Sequence, residues 1–273
     1  MGPLEIVLAV VAGVVILLLL LYVLILVRPG KNRTPDPTLL CDYAHRGLYN
    51  GKDVPENSPA AFSRACDAGV GIELDVQLSA DGTVMVFHDD TLERMTGKSG
   101  LVGQTDAANL QALCLGGTEE KIPTLKEVLK LVDGRVPLLI EMKGESTDTS
   151  LCKKLAEELE GYKGKYCIES FNPMLIREIK RYLPNAFCGL LYTNVCRDKK
   201  KRSALNMALT CMALNFLARP HFIAYNQEDR RYLPVRITTG LYKAPRFVWT
   251  VRTSEARAEA ARRGECAIFE QER

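Results

Sequence analysis

Histidine and tryptophan are scarce in this chain, which has three histidines and one tryptophan among 273 residues. Cysteine is present, but the nine cysteines are odd in number and include no Cys-x-x-Cys pair. This spacing excludes a disulfide framework as the main source of stability in so long a chain. We therefore expect reduced thiols in the interior, which favours the cytoplasmic side of a membrane.

The chain also has no large excess of charge of either sign. Lysine and arginine number 36 against 33 aspartates and glutamates, which leaves a formal net charge of +3. No long basic run is present to follow a nucleic-acid backbone, so we expect no nucleic-acid partner. The one local basic cluster, Lys199–Arg202, is typical of a solvated helix start and is also able to contact anionic lipid.

A long apolar run lies near the N-terminus, after a short segment of residues 1–5. Residues 6–27 carry no charge, and as a helix they would span about 33 Å, enough to cross a hydrocarbon core. A cleaved signal peptide is the alternative, but the run has no basic residue before it and no small-residue cleavage site after it. We expect a single-pass membrane anchor. The cations Arg28, Lys31 and Arg33 in the following linker, residues 28–38, predict a cytoplasmic location for the rest of the chain.

Residues 39–273 alternate between strand and helix patterns. Apolar, β-branched runs separate segments of helical periodicity, and eight strand candidates result when the hairpin at residues 70–89 counts as one unit. Alternation of this kind predicts a parallel sheet, and the count favours a (β/α)₈ TIM barrel over a doubly wound sheet. Residues 90–122 are rich in glycine and irregular, and we expect them to form a small insertion.

Acidic side chains recur with period 2 at the ends of predicted strands. Glu73 and Asp75 share one face of the strand at residues 70–78, and Glu141 ends the strand at residues 136–142. Neighbouring carboxylates repel each other when buried, and a cation between them removes that cost. Oxygen ligands without a nearby cysteine suit Mg²⁺ or Ca²⁺ better than Zn²⁺.

Histidine and cationic side chains follow the same strand ends. His45 and Arg46 end the first strand, His88 ends the hairpin, and Lys143 lies two residues after Glu141. In a barrel these ends meet at one mouth. Two histidines are able to act as general base and general acid, and two cations to hold a phosphate, so the set indicates phosphodiester cleavage. Alone, each cation would be read as a surface charge.

For three further polar or aromatic residues, a structural role is the first interpretation when each residue is considered alone. Ser170 would serve as a helix cap, Trp249 as a core residue, and His221, which has no charged neighbours in sequence, as a structural histidine.

The motifs together resemble those of the glycerophosphodiester phosphodiesterase family across nearly all of the soluble part. The matching stretches are His45-Arg46-Gly47, Pro55-Glu56-Asn57-Ser58, Glu73-Leu74-Asp75-Val76, Asp81-Gly82, His88-Asp89, Ile122-Pro123-Thr124-Leu125, Glu141-Met142-Lys143, Ser170-Phe171 and Trp249-Thr250-Val251.

The resemblance implies a (β/α)₈ barrel with an insertion after the hairpin and a divalent metal on Glu73, Asp75 and Glu141. It further implies His45 and His88 as the catalytic pair. Arg46 and Lys143 correspond to phosphate contacts, Trp249 to a substrate-binding residue, and Glu56 to an acid supporting the metal or His45. The chain departs from the usual pattern at Arg252 and in its closing stretch Cys266–Glu270.

The expected activity is hydrolysis of glycerophosphodiesters to glycerol 3-phosphate and an alcohol. The membrane anchor keeps open a phospholipase D-type hydrolysis of lysophospholipids. A third interpretation is a catalytically inactive barrel that serves as a membrane-tethered binding module, although such a module has no need of the complete set of histidines, carboxylates and cations.

Overall fold

Eight parallel strands close into a barrel, which confirms the TIM-barrel prediction. The computed structural model describes residues 2–30, 35–51, 53–144 and 147–271. The nine strands are β1 Tyr43–Ala44, β2 Gly71–Leu78, β3 Val84–Val86, β4 Leu138–Met142, β5 Tyr166–Ser170, β6 Phe187–Tyr192, β7 Phe222–Asn226, β8 Arg246–Val251 and β9 Cys266–Phe269. Each strand from β4 onward pairs in parallel with the next, β4 also pairs with β2, and β1 closes the ring on β2 and β9. Only β3 is antiparallel, forming the predicted hairpin with β2.

Helices connect the strands and, apart from the N-terminal helix and the two short helices of the insertion, cover the outside of the barrel. They are α1 Pro3–Leu21, α2 Pro59–Asp67, α3 Glu93–Thr96, α4 Ala107–Ala112, α5 Leu125–Val132, α6 Ser150–Leu159, α7 Pro173–Tyr182, α8 Ala204–Thr210, α9 Asn215–Ala218, α10 Leu233–Arg236 and α11 Ser254–Arg262. Their starts follow ordinary capping rules. The Ser58 hydroxyl accepts from the Ala61 amide at 3.2 Å, and Thr124 and Glu127 form a reciprocal capping box.

Apolar side chains fill the barrel interior at the amino ends of the strands. Tyr43, Phe187, Phe222 and Phe247 are buried there, and the rings of Phe222 and Phe247 lie 4.4 Å apart between centroids. Gly189 of β6 makes room for this layer, because a Cβ at that position would collide with the Phe222 ring. The barrel interior is therefore filled by apolar side chains at the amino ends of the strands, and polar side chains lie at the carboxyl ends.

The predicted insertion forms a small unit with its own core. It contains α3 and α4, and its buried side chains pack with Met85 and Phe87 from the hairpin. The buried members contributed by the insertion are Leu92, Val102, Ala107, Leu110, Leu115 and Ile122.

Two segments differ from what their sequence patterns predict. Residues 39–45 have the pattern of a first strand, but the strand is only Tyr43–Ala44, because Asp36 caps a 3-10 turn, Pro37–Leu39, ahead of it. Residues 203–217 have the pattern of one helix, but a turn in which Met212 adopts a positive φ of 50° splits it into α8 and α9. The break lets the Asn215 side chain donate to the Val27 carbonyl at 2.9 Å, a contact that no local pattern encodes.

The N-terminal helix is long and apolar enough to cross a membrane. α1 continues into a π-helical turn, Tyr22–Leu26, so that 24 consecutive residues, Pro3–Leu26, form one helix without buried side chains in its most apolar window. Length and composition alone are also met by signal sequences and by core helices of soluble proteins. Of the three cations predicted to set the topology, Lys31 and Arg33 lie outside the described residues.

Candidate active site

The carboxylates predicted to bind a metal come together because neighbouring strands align them. In the register of the sheet, Asp75 of β2 lies opposite Glu141 of β4, and Glu141 lies opposite Glu169 of β5. Glu73 precedes Asp75 by two residues and points into the same barrel interior. One ligand oxygen from each of Glu73, Asp75 and Glu141 lies within 4.8 Å of the others, and all three residues are buried.

Burial and mutual repulsion perturb these acids. Burial, followed by the nearby Asp75 and Glu141 carboxylates, raises the pKa of Glu73 well above its usual value. Burial likewise raises the pKa of Glu141 to about 7, against the opposing effect of Lys143. The pKa of Glu169 is also well raised, first by burial and then by Glu141. Among the described residues, Glu73 Oε1 and Glu169 Oε2 are buried without a hydrogen-bond partner.

Two predicted phosphate contacts lie directly against the acidic cluster. Lys143 Nζ is 2.7 Å from Glu141 Oε1 and 3.0 Å from Asp75 Oδ1. Arg46 donates its backbone amide to Glu73 Oε2 at 2.8 Å, and its Nε lies 3.5 Å from Asp75 Oδ2. Although burial alone would raise the pKa of Asp75, these two cations hold it well below its usual value.

A tight turn after β1 aims Arg46 at the cluster. Arg46 has a φ of 56° and Gly47 a φ of 80°, both in the left-handed region. At Gly47 a Cβ would lie 2.8 Å from the Ala61 side chain, so the close approach of α2 also requires glycine. Asn57 also stabilises this part of the site, because its side-chain amide donates to Asp75 Oδ2 at 2.8 Å.

Each predicted catalytic histidine is braced by a carboxylate on its Nδ1 atom. His45 Nδ1 lies 3.2 Å from Glu270 Oε1, and His88 Nδ1 lies 2.6 Å from Asp89 Oδ1. Engagement of Nδ1 leaves Nε2 as the nitrogen that can meet a substrate. Hydrogen bonding to His45 lowers the pKa of Glu270 to about 2, whereas burial lowers the pKa of His88.

Glu56 contacts arginines in this structure, although the resemblance implied that it supports the metal or His45. Its carboxylate accepts from Arg46 Nη1 at 2.7 Å and from Arg94 Nη2 at 2.7 Å. Arg94 in turn donates to Asp89 at 2.6 Å. A continuous chain of charges therefore joins Arg46, a predicted phosphate contact, to Asp89, the carboxylate that contacts His88.

The mouth encloses a cavity of about 640 Å³ that is lined by both polar and apolar side chains. Its polar lining includes the two histidines, the two cations, Glu73, Glu141 and Glu169. Its apolar lining includes Phe171, Leu191, Trp249 and Ile268. Trp249 is fixed by donation of its indole N–H to the Ala224 carbonyl at 3.1 Å, and it meets Phe171 edge to face with centroids 5.6 Å apart.

The comparisons with known proteins agree with this arrangement. The family model described as the glycerophosphoryl diester phosphodiesterase family matches residues 45–269. The chain belongs to this family. Members of the family carry the name of a phosphodiesterase activity.

Curated relatives and solved structures carry the same family name. A glycerophosphodiester phosphodiesterase from Caldanaerobacter subterraneus subsp. tengcongensis is 39% identical over 160 residues, covering 55% of this chain and 65% of the relative. The chain thus spans less than two thirds of that relative's length. An Oleispira antarctica phosphodiesterase, solved with the product sn-glycerol-3-phosphate, shares the fold with a TM-score of 0.69 at 24% identity, over 86% of this chain and 94% of that one.

A Thermotoga maritima glycerophosphodiester phosphodiesterase superposes with a TM-score of 0.62 at 25% identity, over 85% of this chain and 94% of that chain.

The two departures from the family pattern contact each other. Arg252 Nε donates to Glu270 Oε2 at 3.0 Å, and Glu270 is the residue that braces His45. Glu270, in the closing stretch, therefore supplies a carboxylate to His45. Arg252, which follows β8, supplies the positive charge that pairs with this carboxylate.

Two acidic residues that line the site, Glu169 and Glu270, were not predicted as site residues from the sequence. Glu169 lies opposite Glu141 in the sheet register and faces the same side, so its position on the strand could have indicated that it lines the site. Glu270 becomes a partner of His45 only through the pairing of β1 with β9. Elsewhere, Ser170 donates to the Met142 carbonyl, and its Oγ accepts from the Asn172 amide just ahead of α7. His221 is buried and stacks on Phe187, in keeping with a structural role.

Proposed function

We propose that this protein hydrolyses glycerophosphodiesters to glycerol 3-phosphate and an alcohol at the mouth of the barrel, in a metal-dependent reaction with His45 and His88 as general base and acid. The observation that carries the proposal is the meeting, in one cavity, of a buried carboxylate cluster, two cations and two braced histidines. The product bound in the Oleispira antarctica structure is that of the same reaction class.

Glu73, Asp75 and Glu141 are the residues that would hold the metal. With Glu169 they make four buried carboxylates against the two cations Arg46 and Lys143, so two negative charges remain when all are ionised. The unpartnered Glu73 Oε1 and the all-oxygen donor set fit a divalent ion such as Mg²⁺ or Ca²⁺. When bound, such an ion neutralises and polarises phosphoryl oxygens.

Arg46 and Lys143 orient the phosphodiester. Both charged heads are mostly buried, at 14% and 16% side-chain exposure, so their attraction to a phosphate is weakly screened. A guanidinium and an ammonium on one side of the cavity hold two phosphate oxygens and turn the ester oxygens toward the histidines.

The histidines move protons on either side of the phosphorus. His45, whose Nδ1 faces the Glu270 carboxylate, takes the proton of the attacking oxygen on Nε2, and His88 donates a proton to the departing alkoxide. The attacking oxygen belongs to water, or to the glycerol hydroxyl of the substrate through a cyclic phosphate. In both routes one proton passes from the nucleophile to the base and one from the acid to the leaving alcohol. In the cyclic route a water then adds to the phosphorus and breaks one ring P–O bond, so each route consumes one water and yields glycerol 3-phosphate and the alcohol.

Apolar side chains in the cavity support a second substrate class, lysophospholipids cleaved by a phospholipase D-type reaction. Phe171, which is 41% exposed, and Trp249 offer apolar surface to an acyl chain. The N-terminal helix, which we propose spans the membrane and leaves the barrel in the cytoplasm, would keep the enzyme beside such a substrate.

Two assays separate these interpretations. EDTA-sensitive hydrolysis of bis(p-nitrophenyl) phosphate by the purified full chain would distinguish an enzyme from an inactive binding barrel, which shows no hydrolysis. Side-by-side rates with glycerophosphocholine and lysophosphatidylcholine then assign the substrate class. A Lys143→Met variant, which loses the ammonium beside Asp75 and Glu141, is the matched inactive control.

A further inference from the structure

The N-terminal helix is attached to the barrel at a defined level. Residues 2–21 are exposed, whereas burial begins at Tyr22 and is complete at Val27. Tyr22 donates its hydroxyl to the Cys211 carbonyl at 2.9 Å, and Tyr242 donates to the Val23 carbonyl at 2.7 Å. The helix therefore leaves the barrel surface at Tyr22.

The segment from Tyr22 to Gly30 runs from the mouth toward the closed end of the barrel. Tyr22 sits at the level of Cys211, whose neighbour Thr210 accepts a hydrogen bond from Tyr192, the last residue of β6. Gly30, by contrast, donates to Pro220, ahead of the first residue of β7. Followed in the opposite direction, the same path carries α1 outward beyond the mouth for about 28 Å at 1.5 Å per residue.

This attachment is tight and polar. Asn215 donates to Val27 at 2.9 Å, and Arg219 donates to the Arg28 carbonyl at 3.2 Å. At Gly30 a Cβ would lie 2.5 Å from the Arg219 carbonyl oxygen, so the backbones are in contact. Because these contacts hold the chain that follows α1 against the barrel, the orientation of α1 in its surroundings also sets the orientation of the barrel.

Exposed apolar side chains surround the exit point. Outside the N-terminal helix, the four most exposed large apolar residues of the described chain all belong to segments that border the exit point. They are Leu205 at 61%, Met207 at 58%, Leu233 at 62% and Leu241 at 62%, and we call them the rim patch. The next most exposed, Tyr182, reaches 45% and lies at the far end of α7.

Three members of the rim patch lie on segments that rise from the mouth, whereas Leu241 ends the π-helical turn that leads back toward β8. Leu205 and Met207 are on α8, which follows β6, and Leu233 follows Tyr232, whose hydroxyl contacts Asn194 just past the end of β6. The exposed basic run Lys199–Arg202 immediately precedes α8. Apolar side chains beside clustered cations match the two layers of a lipid surface, acyl chains and anionic headgroups.

We propose that the mouth of the barrel faces the bilayer and that the rim patch inserts into it, with the Lys199–Arg202 run against the headgroups. The inference rests on the proposed membrane-spanning role of α1. A lipid surface is the occupant, rather than a second copy of the chain, because the rim patch lies on segments that contact the proposed membrane-spanning helix at Tyr22 and Val23, and cations lie at the edge of the patch.

Tryptophan scanning in proteoliposomes tests the orientation. The full chain carries one native tryptophan, Trp249, so each introduced indole adds to a constant background. Leu233→Trp and Leu205→Trp would report on the rim patch, Leu17→Trp on the middle of α1, and Tyr182→Trp on the closed end of the barrel. Each variant is reconstituted in phosphatidylcholine and in phosphatidylcholine brominated on one acyl chain, whose bromines quench nearby indoles.

The inference predicts loss of the added emission in brominated lipid for Leu17→Trp, Leu233→Trp and Leu205→Trp, and none for Tyr182→Trp. Quenching of Leu17→Trp alone would overturn the inserted rim while leaving the spanning helix and the proposed activity intact. Absence of quenching in all four would refute the span and this inference together, whereas hydrolysis assays on the same samples judge the proposed function separately.

Discussion

Replacing His45 and His88, the two proposed catalytic histidines, with alanine should separate their roles by the kind of ester that each variant still cleaves. p-Nitrophenolate leaves without needing a proton, whereas the alkoxide of a glycerophosphodiester needs one. His88→Ala should therefore keep appreciable activity on bis(p-nitrophenyl) phosphate and lose it on glycerophosphocholine. His45→Ala should lose both, because the attacking oxygen must be deprotonated whichever group leaves.

The size of each loss follows from the surroundings of each ring. General acid or base groups contribute about 10²–10⁴-fold. His88 is 31% exposed, so water can partly replace it, and we expect a loss near the lower end of that range. His45 is 16% exposed and braced by Glu270, so its loss should lie nearer the upper end.

The pH dependence provides an independent check on His88. Burial lowers the pKa of His88 from its ordinary value of 6.5, and an acid must be protonated to act. The ratio of the alkyl-ester rate to the aryl-ester rate, in which the contribution of the base cancels, should therefore fall as the pH rises through a value below 6.5. In His88→Ala the ratio should be low and independent of pH.

Steady-state rates of both variants on both substrates decide the assignment. The opposite pattern, with His45→Ala rescued by the aryl ester, would exchange the two roles. Equal losses on both substrates in both variants would refute acid–base catalysis by these residues and leave them as phosphate-binding groups.

Three further predictions concern the metal, the contact between Glu270 and His45, and the membrane topology. Asp75→Asn should bind divalent ions more weakly and lose activity by orders of magnitude, with partial recovery at excess metal; full activity of the chelated native chain would contradict this. Because the His45 contact lowers the pKa of Glu270 from 4.5 to about 2, its carboxylate stabilises the fold above about pH 4.5 and less as the pH falls toward 2. Glu270→Gln should thus reduce resistance to urea at neutral pH but much less near pH 2. Alkaline phosphatase fused after Arg273 should remain inactive, and strong activity would place the barrel outside the cell.

The barrel was predictable because its signals are local. Period-2 alternation at residues 70–78 and apolar runs such as β6 and β8 mark strands, and Ser58-Pro59 marks a helix start. The split between α8 and α9 was not predictable, because the contact that accompanies it joins Asn215 to Val27, 188 residues away in the chain. The same limit applies to α10, a four-residue helix too short for periodicity to reveal.

The site residues were predictable as far as strand parity and motif resemblance reach. Glu73, Asp75 and Glu141 share a parity that the barrel converts into proximity. The ion-pair partners of the other site residues were not predictable. Glu270 contacts His45 only because the barrel closes between β1 and β9. Arg94 contacts both Glu56 and Asp89 only because the insertion packs against the barrel mouth. Long-range ion pairs of this kind leave no periodic trace in one sequence.

Product identification by ³¹P NMR is the most direct test of the proposed activity. The purified full chain would be incubated with glycerophosphocholine and a divalent metal, and the phosphorus signals followed with time. The account predicts growth of the glycerol 3-phosphate signal, its suppression by EDTA, and its absence in Asp75→Asn without excess metal. Appearance of phosphocholine instead, or glycerol 3-phosphate formed at an unchanged rate in EDTA, would contradict it.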